Sequence, residues 1–137
     1  MWWEFALLAA FFAALTALFA KIGIKGIDTD LATAIRTIVI LVLAWGIAYF
    51  RGGTKTIASL TNENWFFLIL SGLATGLSWI FYFKALQLGK VSQVAVVDKF
   101  SVALVIILSA LFLGETITPK ILIGATLVIA GTFVLIA

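Results

Sequence analysis

The sequence predicts an all-α membrane protein, a five-transmembrane-helix bundle forming one domain over residues 1–137, and three observations carry that prediction. Hydrophobic residues make up 64% of the chain and charged residues 11%, with a mean hydropathy of +1.26. A soluble domain carries roughly a quarter charged residues, so too little polar surface is left here to coat a water-facing globule. Five separate apolar stretches each approach the ~20 residues that a hydrocarbon core of about 30 Å requires. The connections between them are short, which leaves no room for a soluble domain.

The first span is expected at about 2–24. It opens on Trp2 and Trp3 with no basic n-region and no cleavage site, so it is expected to stay in place as a signal anchor. Ala6, Ala10, Ala13, Ala17 and Ala20 form a small-residue stripe along it. Asp28, Thr29 and Asp30 supply N-cap chemistry for the second span, 31–50, which Arg51-Gly52-Gly53 stops. The polar connection from Arg51 to Asn64 suits the membrane surface. The third span, 65–88, starts at Trp65, and Gly89-Lys90 makes a tight turn into the fourth, 91–113. Thr118-Pro119 reads as N-cap and first residue of the fifth span, 119–137. Trp2, Trp3, Trp45, Tyr49 and Trp65 fit interfacial aromatic belts.

Gly72 and Gly76 form a GxxxG pair on the third span, and Gly124 and Gly131 lie two turns apart on the fifth. In lipid, packing replaces the hydrophobic effect as the force between helices, and small residues let backbones approach. These glycines therefore serve either packing within the bundle or a subunit interface.

The chain has no histidine and no cysteine. Disulfides, thiolate chemistry, zinc sites and a His-based triad are excluded, and no metal or other cofactor is called for. A formal charge of +3, thinly scattered, offers no nucleic-acid face. Paired acids and a nucleophile elbow are also missing, so an enzyme is not expected.

Arg36, Lys84, Asp98 and Lys99 fall inside the spans. At a rise of about 1.5 Å per residue they lie roughly 6 to 12 Å deep, and alternation of helix direction puts all four in one leaflet. An ionisable group there is costly unless paired or wetted, so the four are expected to cluster as a cationic pathway that suits an anionic or zwitterionic ligand. Trp79, Tyr82 and Gln87 stand near Lys84 as candidate walls. The plainer alternatives are that Lys84 snorkels to the interface, that Arg36 anchors lipid phosphate, and that Asp98-Lys99 is a structural ion pair. Glu4 and Glu115 read as interfacial caps.

Orientation is balanced. Arg51, Lys55 and Lys120 lie on the N-terminal side, and Lys21, Lys25 and Lys90 on the other. A chain with no positive-inside bias can insert both ways and pair with itself antiparallel.

The stretch from Ser71 to Gly131 contains Phe81-Tyr82-Phe83-Lys84-Ala85-Leu86-Gln87-Leu88-Gly89, then Leu111-Phe112-Leu113-Gly114-Glu115-Thr116-Ile117-Thr118, then Gly124 and Gly131. It resembles the EamA family of the drug/metabolite transporter superfamily, and Arg36 matches an arginine common there. Most members of that family have ten helices in two inverted five-helix halves, and this chain corresponds to one half. The resemblance implies a multi-pass protein of the cytoplasmic membrane that exports a small metabolite, amino acid or lipid-linked group. It further implies a homodimer, or a heterodimer with a second half-size chain, whose substrate path lies near the midplane. Many members carry a proline early in the fourth helix, around Ser101-Val102. Here Pro119 is the only proline, and Asp98-Lys99 stands just upstream of that place. The competing expectation is a non-transporting subunit or scaffold of a larger complex.

Overall fold

The computed structural model describes residues 1–136, and among them every regular element is helical. The order is α1 (Trp2–Gly23), α2 (Thr29–Phe50), a 3-10 helix (Gly53–Ser59), α3 (Asn62–Leu88), α4 (Val91–Val97), α5 (Phe100–Phe112) and α6 (Pro119–Ile136). Five stretches are long and apolar enough to cross a membrane, with α4 and α5 together making the fourth. The multi-pass, all-helical class predicted from composition is therefore the one found. Ala137, expected to close the last span, lies outside the described residues.

Local chemistry sets the helix ends. Asp28 caps α2, its Oδ1 accepting from the amides of Asp30 at 3.0 Å and Leu31 at 2.9 Å. The helix thus starts two residues before the first apolar residue of the span. Gly52, at φ 75°, follows α2 in the left-handed region that a residue with a Cβ enters only under strain. Thr61 and Asn64 form a reciprocal cap at the start of α3. The Thr61 amide donates to Asn64 Oδ1 at 3.0 Å, and the Asn64 amide donates to Thr61 Oγ1 at 3.2 Å. This cap starts α3 three residues ahead of Trp65. Thr118 Oγ1 accepts from the Ile121 amide at 3.3 Å, the N-cap arrangement expected before Pro119.

The described chain forms two compact units, one of Phe19–Gln87 and one of Met1–Leu18 with the chain from Leu88 onward. In the Phe19–Gln87 unit the buried residues are Ile24, Thr29, Thr33, Phe83 and Leu86. They gather where the end of α3 meets the turn between α1 and α2. Lys21 Nζ donates to the Leu86 carbonyl there, and Gln87 Nε2 donates to the Ile27 carbonyl at 3.1 Å. The last carbonyls of a helix lack intrahelical partners and carry partial negative charge, so a lysine brought against them offsets both. Gln87, expected as a candidate pathway wall, instead ties this turn.

In the other unit, α6 lies beside α4 and α5. Thr132 is fully buried, its hydroxyl 2.8 Å from the Val128 carbonyl and 3.4 Å from that of Val96. Phe100 and Phe133 meet edge to face at 5.5 Å. Elsewhere Thr16, Thr33, Thr37, Thr75 and Thr126 each donate to the carbonyl four residues back, which satisfies a hydroxyl inside its own helix.

Replacing Asp28 with Ala should destabilise the protein by about 1 kcal/mol, the usual loss for an N-cap, while Asp28→Asn should be nearly neutral. Unfolding titrated with denaturing detergent measures both, and equal stabilities for the two variants would remove Asp28 from the capping role.

Candidate functional site

The fourth span is not one helix. α4 ends at Val97 and α5 begins at Phe100, with Asp98 and Lys99 in a turn between them. The Asp98 amide still reaches four residues back, to the Val94 carbonyl at 3.0 Å. The next amides change register. Lys99 donates to Val96, Ser101 to Asp98 and Val102 to Lys99, each three residues back at 3.0 to 3.1 Å. A change from α to 3-10 bonding inside a span tightens the backbone and interrupts its ladder. No proline causes the break, and the two residues in it keep right-handed helical backbone angles, so the chain still runs as one candidate span over Val91–Phe112. What marks the place is a pair of adjacent charged residues in an otherwise apolar run.

At the break, Lys99 Nζ stands 3.7 Å from Asp98 Oδ2. The two side chains are 55% and 43% exposed respectively. A pair so open and so long contributes little to stability in water. Val96, whose carbonyl takes the Lys99 amide, also lies 3.4 Å from the Thr132 hydroxyl of α6. Thr132 went unremarked in the sequence, where its only signal is a hydroxyl near the end of an apolar span.

Arg36 belongs to the Phe19–Gln87 unit and lies seven residues into α2, about 10 Å along its axis. Its ζ carbon sits 3.5 Å from the centroid of the Trp79 ring and 5.6 Å from that of Phe83. At 3.5 Å only a face-to-face stack fits, because a tilted guanidinium would drive its nitrogens into the indole. Trp79 is itself braced edge to face by Tyr82 at 5.4 Å and Phe83 at 5.5 Å. These are its i+3 and i+4 neighbours, the spacing that puts helical side chains on one face. The aromatic spacing was legible in sequence; the arginine laid over it was not. No carboxylate lies within ion-pair distance of Arg36 among the described residues.

The four embedded charges thus divide between the units, Arg36 and Lys84 in one and Asp98 with Lys99 in the other. Within its unit Arg36 is brought onto Trp79 rather than to Lys84. Lys84 is exposed on α3 without an ion pair or hydrogen bond among the described residues, as a lysine reaching toward the interface would be. A methyl group built at Gly72, Gly76, Gly124 or Gly131 meets no atom within 4 Å. Among the described residues these four glycines therefore mediate no close helix approach within their own units.

The model of the EamA-like transporter family matches residues 1–137. The chain belongs to this family. A protein from Sinorhizobium sp., described as an uncharacterized transporter in the cobO 3' region, is 46% identical over 134 residues, covering 97% of this chain and 95% of that protein. No solved structure matches the chain. An EamA-like chain with five apolar spans is a multi-pass membrane protein and a membrane transporter.

If the stack fixes the guanidinium, Arg36 and Trp79 should be energetically coupled. A double-mutant cycle on Arg36→Gln and Trp79→Leu, read by detergent-induced unfolding, should give about 0.5 to 2 kcal/mol of coupling. Additive losses would show that the arginine is held by something other than the indole.

Proposed function

We infer that this EamA-like chain is a half-size exporter of the cytoplasmic membrane. It pairs with a second five-helix unit, either another copy of itself or a different half-size chain, to carry a small metabolite, amino acid or lipid-linked group by alternating access. The observation that carries this reading is the interrupted fourth span. Carriers of small solutes commonly build their sites where a spanning helix departs from regular hydrogen bonding. Here the break coincides with the only acid embedded in the spans, Asp98, and a lysine beside it. If transport is proton-linked, Asp98 is the embedded acid assigned to it. In the Phe19–Gln87 unit, Arg36 over Trp79 is the second polar group assigned to substrate, with Tyr82 against Trp79 and Lys84 exposed on the same helix.

Pairing is supported by two further features. Gly72 and Gly76 on α3, and Gly124 and Gly131 on α6, present small surfaces that no described residue of their own unit occupies. The Sinorhizobium relative is matched over 95% of its own length, so it too spans one such unit. The balanced loop charges allow a second copy to insert in the opposite sense.

Counterflow of labelled amino acids and small metabolites in proteoliposomes tests the carrier directly, and a scaffold would show none. With a transported solute in hand, Asp98→Asn should slow flux at least tenfold or abolish its pH dependence; an unchanged rate and profile would remove Asp98 from the mechanism. Because the chain has no cysteine, Gly72→Cys and Gly124→Cys each introduce a single thiol. Oxidation in native membranes should yield a disulfide-linked dimer for at least one of them, and monomer alone for both would set that interface aside.

A further inference from the structure

We propose that Arg36, stacked on Trp79 with its hydrogen-bonding edge unoccupied, is the recognition group for a planar carboxylate on the transported solute. The proposal rests on the carrier reading above and narrows its substrate class.

The argument begins from the five N–H donors of a guanidinium, which lie in one plane and point outward from its rim. The Trp79 ring covers a face of that plane and attracts its charge, but an aromatic face offers no in-plane acceptor. Among the described residues no carboxylate, hydroxyl or carbonyl oxygen receives a hydrogen bond from Arg36. The neighbouring threonines turn their hydroxyl protons onto backbone carbonyls, Thr33 onto Thr29 and Thr37 onto Thr33, each at 2.8 Å, and neither oxygen takes a hydrogen bond from Arg36. At the same end of the unit Gln87 and Lys21 donate to the backbone carbonyls of Ile27 and Leu86. A charged fork about two turns into an apolar helix is thereby fixed in orientation and left without an acceptor of its own.

Such a group is costly in hydrocarbon unless water or an anion reaches it. A carboxylate is the complementary partner, since its two oxygens match two parallel N–H donors in the guanidinium plane. The stack improves the match because the fork is held flat before the ligand arrives, so less rotamer freedom is lost on binding. Trp79 is accordingly a positioning residue, and Phe83 and Tyr82 brace it. The same oxyanion chemistry is presented by lipid phosphate, and the experiment separates the two sources.

The chain has two arginines, Arg36 and Arg51, so arginine-selective ¹⁵N labelling gives two Nε–H signals. Arg36→Lys, which deletes one of them, assigns both. The full chain is placed in nanodiscs of phosphatidylcholine and titrated with benzoate and with succinate, using benzamide and succinamide as neutral counterparts. The Arg36 signal should shift saturably with at least one carboxylate, and neither amide should move it. The Arg51 signal should stay in place. Trp79→Leu should weaken the binding at least fivefold while leaving the Arg36 signal present. Intrinsic tryptophan fluorescence should show at least tenfold weaker binding in Arg36→Lys, which keeps the charge but loses the fork.

An Arg36 signal that neither carboxylate moves overturns the proposal. So does one that responds equally to the amides, or that shifts only when phosphatidylglycerol replaces part of the phosphatidylcholine, which would make Arg36 a phosphate anchor. The wild-type titration needs no substitution to survive folding. Saturable carboxylate binding without counterflow leaves this site standing and removes the carrier reading. Counterflow with no carboxylate response does the reverse.

Discussion

Hydrocarbon offers no hydrogen bonds, so every polar group carried into the bilayer has to find its partner within the protein, in trapped water or on a ligand. That constraint orders the rest of the structure. It forces the backbone into helices, whose amides and carbonyls satisfy one another. It turns six threonine hydroxyls back onto carbonyls four residues earlier in their own helices. It also concentrates capping chemistry at helix ends, where Asp28, Thr61 with Asn64, and Thr118 take up amides that have no partner in the helix. The outward faces are free to be apolar, and residues such as Phe11, Leu43, Ile69 and Leu122 are exposed along their helices. In water such faces would aggregate; in lipid they are solvated.

Against that background, two features run counter to the rule. The backbone ladder of the fourth span changes register at Asp98-Lys99, and the Arg36 guanidinium lies in an apolar span without an acid. Both are the kind of imperfection that transport chemistry exploits, since a carrier has to leave some polar groups available for its cargo. Each also has a particular neighbour. The Thr132 hydroxyl lies 3.4 Å from the Val96 carbonyl next to the break, and Trp79 underlies the arginine. Support of this sort keeps an energetically awkward group in one geometry, which separates a binding site from a local defect.

Much of this was legible in the residues themselves. The number of spans and their approximate ends follow from apolar runs punctuated by Asp, Thr, Gly and Pro, because length and hydropathy are properties of the chain in order. The caps at Asp28 and Thr118 were readable for the same reason. The break was less so. The familiar signal for an interrupted helix is proline, and the only proline here is Pro119, at the start of α6. The expected pathway residues take different places. Asp98 and Lys99 fall at the break, and Arg36 and Trp79 meet face to face. Lys84 stays exposed, and Gln87 serves the turn between α1 and α2.

The sequence by itself determined that this chain lives in a membrane, crosses it as five helical stretches and carries four charges inside them, because partition into lipid depends on composition summed along each run. The tertiary structure alone decided which ring the arginine lies on, which hydroxyl reaches the break and which lysine caps α3. Those choices depend on how helices distant in sequence rotate about their own axes when they pack. A rotation of a few tens of degrees changes every such partner and leaves the hydropathy of the chain untouched.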